Sequence, residues 1–265
     1  MNKSILFRKS LEEEDEFDTA SSIIKNVYEY RTQIPENNLV FARYSALPFY
    51  KELEGELALK GSRLVNSYIQ HQYIANIENW YNDIQEYTPK TWFTWGHLSE
   101  GQFVVKGRTN SRKFNWNTSM YADGRQQLIN VIGNLLQDDM ISHQGLCVRE
   151  YIPLVTYEVG MNGMRFTNEW RMFFYKEQLI DYGYYWSIYG GDRPDDIAPE
   201  GMAVAKEVAK IISKSTNFFV IDMAETEAGE WIVIEINDGQ MSGLSMISPE
   251  SFYSSLNQVM EKVCT

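Results

Sequence analysis

Cysteine, histidine and long apolar runs are scarce in this 265-residue chain, and each scarcity removes a class of function. The two cysteines are Cys147, inside an apolar run, and Cys264, next to the last residue. They read as a buried strand residue and a tail residue, so no disulfide framework is expected. Three histidines, His71, His97 and His143, are too scattered to suggest a zinc site of His ligands. Neither G-x-x-x-x-G-K-[ST] nor G-x-G-x-x-G occurs, and no local Ser/His/Asp or Cys/His arrangement supports a nucleophile. No apolar stretch approaches a membrane span. The opening MNKSILFRKSLEEEDEFD turns acidic too soon for a secretory signal peptide, so a cytoplasmic location is expected. Positive charge is the minority sign, 24 basic against 36 acidic residues. The resulting net charge of −12 disfavours non-specific attraction to nucleic acid. Repeats and low-complexity segments are absent as well.

What is abundant is core-forming material: 44% hydrophobic residues, enough for one large domain or two to three closely packed subdomains. Ser10 with Glu13 makes a capping box that would open an acidic helix reaching about Tyr30. LVFARYS (39–45) and LVNSY (64–68) read as strands, and residues 70–86 carry helical spacing through Ile74, Ile77, Tyr81 and Ile84. Strands are expected at 91–95, 102–107, 118–122, 146–154, 169–175 and 178–186, with helices at 124–137, near 200–214, and at 249–262 behind Pro249. Strands grouped with helices between the groups imply α+β or α/β with several subdomains.

The most informative segment is FFVIDMAETEAGEWIVIEIND (218–238). Its two β-branched and aromatic runs flank a polar turn containing Gly229, which predicts a hairpin. If the hairpin is symmetric about Ala228 and Gly229, Asp222 faces Glu235, and Asn237 shares the face of Glu235. Facing carboxylates weaken a ladder unless a cation compensates. An oxygen-only set of this kind suits a hard ion such as Mg²⁺; a solvent-facing polar stripe is the bland alternative. Lys106 ends the strand QFVVK, followed by Gly107 and a basic loop with Arg108, Arg112 and Lys113, a place able to hold phosphate oxygens. VREYIPL interrupts an apolar strand with the adjacent charges Arg149 and Glu150, and EWRMFFY puts Glu169 and Arg171 on one face.

In this order, strand-K-G-loop, R-E-Y-I, E-x-R-x-F, then Asp222 followed thirteen residues later by E-x-N, the chain resembles the ATP-grasp superfamily over roughly residues 89–245. FARYSALPFYKELE, with Arg43, adds a likeness to the ATP-grasp clade named for two arginines and one lysine. VREYIPL, EWRMFF and IVIEIND are also similar to the cell-division-123 family. The resemblance implies an α+β ATP-grasp fold: two α+β subdomains clasping a nucleotide, 89–153 and 154–265, behind a small α/β unit at 1–88. It implies ATP and Mg²⁺ as cofactors. Lys106 would contact the α/β phosphates, and Glu150, Tyr151 and Ile152 would line the adenine. Glu158 is a candidate for the ribose, and Lys90 for a second ATP-binding lysine. Asp222, Glu235 and Asn237 would hold Mg²⁺, Arg171 would stabilise the transferred phosphoryl group, and Arg43 and Arg149 would be the clade arginines. The loop after Lys106 departs from the superfamily in being basic and aromatic rather than glycine-rich.

The activity so implied is an ADP-forming carboxylate–amine or carboxylate–thiol ligase working through an acyl-phosphate, which needs no Ser, Cys or His nucleophile. Arg43, Arg108, Arg112 and Arg165 could grip a carboxylate, favouring an acidic small molecule or a peptide or protein terminus. A non-catalytic ATP-binding assembly factor and an RNA- or nucleotide-modifying enzyme are the alternatives.

Overall fold

The computed structural model describes residues 2–7, 14–43, 49–139 and 141–262. The Ser10/Glu13 capping box, Pro48 and Cys264 lie outside them. The chain opens on a parallel sheet in the order β2-β1-β3-β4, made of β1 (Asn2–Phe7), β2 (Val27–Tyr28), β3 (Asn38–Arg43) and β4 (Arg63–Leu64). β3 is buried throughout and β1 from Ser4 to Phe7, as the central strands of a sheet covered on both faces must be. Helix α1 (Glu14–Ile23) joins β1 to β2, and α2 (Tyr50–Ala58) joins β3 to β4.

The expected strand at 64–68 is only Arg63–Leu64, because Ser67 caps α3 (Tyr68–Ala75), its hydroxyl accepting from the Gln70 N–H. The single helix expected to 86 is broken as well. Asn76 turns extended, its side chain accepts from the Glu78 N–H, and a short α4 (Ile77–Trp80) follows. Spacing alone gives the right buried residues, Ile74, Ile77 and Ile84, but local capping chemistry cuts the rod.

An antiparallel sheet follows in the order β5-β8-β6-β7, from β5 (Thr91–Trp92), β6 (Gln102–Gly107), β7 (Tyr121–Asp123) and β8 (Leu146–Glu150). Between β6 and β7 lies the basic loop with a one-turn helix, α5 (Trp116–Ser119). Helix α6 (Gly124–Leu136) buries Leu128, Val131, Ile132 and Leu135 against Phe103, Val105 and Val148 on one face of the sheet. The other face carries Val104, Lys106 and Arg149, since Val104 is paired with Arg149 and Lys106 with Cys147.

A small ribbon, β9 (Thr156–Val159) with β10 (Arg165–Thr167), leads into the last sheet. Its order is β12-β11-β13-β14, all antiparallel: β11 (Glu169–Tyr175), β12 (Gln178–Tyr184), β13 (Phe218–Glu225) and β14 (Trp231–Asp238). One face packs Met172, Phe174, Phe219 and Ile221 under α7 (Pro199–Ile212) and with α3 and α4. The opposite face is divided. At one end Phe173, Phe218 and Val220 join Phe41, Phe252 and Leu256 in a core shared with the first sheet and α8 (Pro249–Lys262). At the other end the same face carries Glu169, Arg171, Asp222 and Glu235. Both the β1 strand and the β9–β10 ribbon lack a counterpart in the pattern-based expectations above.

Candidate nucleotide-binding site

The floor of the site depends on one irregularity in β14. The hairpin closes through Thr226–Gly229, where the Gly229 N–H donates to the Thr226 carbonyl and Gly229 adopts φ 81°. This is a three-residue loop ending in a left-handed glycine, centred on Ala228 rather than between Ala228 and Gly229. Near the turn Glu225 pairs with Trp231 and Ala224 with Ile232, a register that would set Asp222 against Ile234. A bulge between Asp222 and Met223 inserts one residue, and Asp222 pairs with Glu235 as expected, though not by the expected symmetry. The bulge does more than restore register. It lets Ile232 and Ile234 share the site face with Glu235 and Asn237, while Trp231, Val233, Ile236 and Asp238 are buried. A regular strand would have sent the isoleucines and Glu235 to opposite faces.

Above this floor is an open cavity between the second and fourth sheets. Its lining changes character along its length. Pro89, Val104, Ile152, Leu154, Ile232 and Ile234 form an apolar part; Lys106, Lys113, Glu169 and Glu235 form a charged part. Arg149, Glu150 and Tyr151 also line it.

The charged part is a set of pairs. Lys106, 6% exposed, bonds Glu235 Oε1 across the cavity. Lys113 bonds Glu169 Oε1 at 3.1 Å and lies 4.0 Å from the centre of the Tyr185 ring. Arg171 holds fully buried Asp222 bidentately, Nε to Oδ1 at 2.9 Å and Nη2 to Oδ2 at 2.8 Å. The expected mutual repulsion of Asp222 and Glu235 is therefore answered by built-in cations. Burial pushes the Glu235 carboxyl up, but Lys106, Lys113 and Arg171 outweigh it and hold it at about 2. Burial lowers Lys113 and Arg171 too, and their acidic neighbours reverse this and raise both. Glu169 goes the other way: burial, with Asp222 nearby, raises it despite Lys113.

Arg149 is different. It is 4% exposed, and no carboxylate pairs with it among the described residues. Its Nη1 donates to the Ile234 carbonyl at 2.6 Å, Nη2 to Thr88 Oγ1 at 2.6 Å, and Nε to Thr91 Oγ1 at 3.3 Å. Burial lowers its pKa, the direction expected of a guanidinium lacking a close anion.

Several expectations need correction. Arg43 does not converge on the cavity with Arg149. It is buried at the junction of β3 with α1, α8 and the turn after β14, bonding Glu16, the Tyr253 hydroxyl and the carbonyls of Gly239 and Ser242. Glu158 is exposed on β9 opposite Phe166 and does not line the cavity. Lys90 is exposed, its ammonium 5.2 Å from the Trp92 ring, and only its neighbour Pro89 reaches the lining. Of the arginines expected to grip a carboxylate, Arg108 pairs with Glu78 and Arg112 with Asp138, while Arg165 does line the cavity. Of the residues expected to line the adenine, Tyr151 has its N–H committed to the Gln102 carbonyl, whereas the Ile152 N–H forms no hydrogen bond among the described residues. The second lysine at the cavity is Lys113, half-buried with 19% of its side chain exposed. The basic loop announces it, but nothing in the spacing separates a lysine that folds inward from the two arginines beside it.

For a metal, the oxygen-only chemistry of the hairpin set fits a hard cation. Glu235 Oε2 and the Asn237 side chain form no hydrogen bond among the described residues. Asp222 has both oxygens committed to Arg171. No group of three His, Cys, Asp or Glu arranged for a metal occurs among the described residues.

No curated protein matches the chain by sequence. Among solved structures, D-alanine–D-alanine ligase from Bacillus anthracis superposes with a TM-score of 0.60 at 13% identity, over 98% of this chain and 95% of that one. D-cycloserine synthetase DcsG gives 0.60 at 10% identity, over 98% and 100%. The ATP-grasp ligase PsnB, solved with precursor peptide PsnA2 and AMPPNP, gives 0.60 at 10%, over 98% of each chain. At such identities the likeness establishes the fold, which is ATP-grasp. Residues 94–256, more than half of the chain, match the profile of an ATP-grasp domain, family 3 of the clade named for two arginines and one lysine, and the protein is a member of that family.

Proposed function

We propose that the protein is an ATP- and Mg²⁺-dependent, ADP-forming ligase that joins a carboxylate to an amine or thiol. The observation that carries this is the gradient along one cavity, from apolar walls to the Lys106/Glu235 and Lys113/Glu169 pairs. A nucleotide has the same gradient, a flat base at one end and polyanionic phosphates at the other. The apolar part accepts the base, with the Ile152 N–H as a donor to its edge. Glu169, in the charged part beside Lys113, takes the ribose role expected of Glu158. Lys106 and Lys113 face the phosphates as point charges.

Glu235 Oε2 and Asn237 would hold Mg²⁺, and Asp222 would join them only if Arg171 turned toward the phosphoryl group. When bound, the metal supplies positive charge on the phosphate oxygens. In the chemical step a carboxylate oxygen of the substrate attacks the γ-phosphorus, and the bond between that phosphorus and the β–γ bridging oxygen breaks, releasing ADP. The attacking amine or thiol then forms its bond to the acyl carbon, inorganic phosphate departs, and the nucleophile's proton passes to solvent. Lys106 and Lys113 stabilise the developing charge from positions already fixed, which is the main lever for such transfers, and Arg171 would join them on leaving Asp222. The chain thus needs no covalent nucleophile, in keeping with the missing motifs.

Product analysis with Mg-ATP and a panel of amino acids and peptides tests the reading. Release of ADP dependent on a carboxylate substrate is expected. AMP release would replace it with adenylation, and binding without turnover would favour the assembly-factor alternative.

A further inference from the structure

We infer that Arg149 is a positioning residue that acts through the β14 bulge, not a phosphate ligand. This rests on the nucleotide reading of the cavity. Arg149 reaches across from β8 of the second sheet to the Ile234 carbonyl, which belongs to the inserted residue of the bulge. The Thr88 hydroxyl completes the clamp: it accepts from Arg149 Nη2 and donates to the carbonyl of Val233, the preceding residue, at 2.8 Å. The Val233 N–H is also held, donating to the Tyr87 carbonyl at 2.7 Å. Two consecutive carbonyls at the bulge are thus fixed by one guanidinium and one threonine from another part of the fold. A bulge leaves ladder groups unpaired, and buried groups of that kind require partners.

What the clamp secures is the change of face between Ile234 and Glu235. With it, the apolar floor and the polar pair Glu235 and Asn237 lie on the same side of β14; without it, the strand can relax to a regular register in which they do not. Arg149 therefore governs the base end and the phosphate end together. A planar fork suits this task, since one group must reach the Ile234 carbonyl, Thr88 and Thr91 at once. A lysine presents a point charge that can hold phosphate but cannot span those three acceptors.

The test compares adenosine, which has no phosphates, with ATP. In the parent protein, adenosine and Mg-ATP binding by calorimetry must first be seen; their absence would overturn the reading of the cavity itself. In Arg149→Lys the expected result is at least a fivefold loss of affinity for adenosine and a similar factor for Mg-ATP. Hydrogen exchange should rise at Val233–Glu235 and stay unchanged in β11. Thr88→Val, which removes only the hydroxyl, should weaken both ligands in the same proportion but less. Loss of ATP binding with adenosine binding intact would overturn the inference in favour of a phosphate contact. Unchanged binding of both ligands, or exchange rising throughout the sheet, would overturn it equally.

Discussion

Arg43 and Arg149 are both 4% exposed, and both lie in β-strands that the sequence marks as apolar. Their surroundings differ in one respect. Arg43 meets Glu16 at 2.8 Å, the Tyr253 hydroxyl and two carbonyls, and the Phe173 and Phe252 rings lie 5.5 and 5.2 Å from its guanidinium carbon. Burial alone would lower it, yet Glu16 and Tyr253 reverse that and its pKa is raised. Arg149 has hydroxyls and one carbonyl, and its pKa is lowered. A buried charge with a full set of partners ties elements together; one with neutral partners beside an open cavity holds backbone in place at the edge of a binding site. The first belongs to the junction of the parallel sheet with α1 and α8, the second to the site.

The largest effect expected from this comparison is on stability at the junction. Arg43→Met strands Glu16 and the Gly239 and Ser242 carbonyls, and breaking one half of a buried pair costs about 3–5 kcal/mol. Urea unfolding measures it; a loss under about 1 kcal/mol would remove the distinction between the two arginines.

Next comes the acid limb of stability. Glu235 is held at about 2 against an ordinary value near 4.5, so its contribution is fully present above about pH 4.5 and is lost as pH falls through about 2. The whole shift is on the order of 3 kcal/mol. In Lys106→Met this acid-dependent part should shrink, leaving a flatter stability curve between pH 2 and 4.5. An unchanged curve would mean that Lys106 does not set the Glu235 carboxyl.

The smallest effect is expected at Arg149. Arg149→Met removes an uncompensated buried charge while leaving the Ile234 carbonyl without its donor, opposing terms that net about 1–2 kcal/mol of destabilisation. Urea unfolding of this variant should therefore show clearly less loss than Arg43→Met, and a loss as large would place both residues in the same structural class.

Residues with strong local signatures are readable in the chain without the fold. Asp222, Glu235 and Asn237 declare themselves because strand alternation and a glycine turn are local, and Lys106 because a lysine-glycine pair ends an apolar strand. Arg43 is misread for a physical reason: a buried arginine in an apolar strand demands an anion, but the sequence does not say which. Its partner is Glu16, brought to it by the folding back of α1, rather than a phosphate. The bulge is invisible because it arises from long-range clamping by Thr88 and Arg149, not from any glycine or proline in β14. Lys113 stands out for its charge but not for its inward direction, which Glu169 and the Tyr185 ring determine. β1 escapes because a short strand whose four buried residues, Ser4–Phe7, are consecutive has no alternation to recognise.

The pairing of Glu235 with Lys106 also alters what its removal should do. Taken alone, two facing carboxylates would make Glu235→Gln neutral or stabilising; with Lys106 buried against it, the variant leaves an ammonium without its anion and should melt below the parent when no ligand is present. The most direct test of the account is the thermal shift produced by ATP, with and without Mg²⁺, in parent and Glu235→Gln side by side. A clear Mg²⁺-dependent rise in the parent's melting temperature is expected, as ligand bound only by the folded state requires, with loss of most of that rise in the variant. An equal Mg-ATP response in both proteins would contradict it, and would leave the carboxylates of the hairpin as a polar stripe.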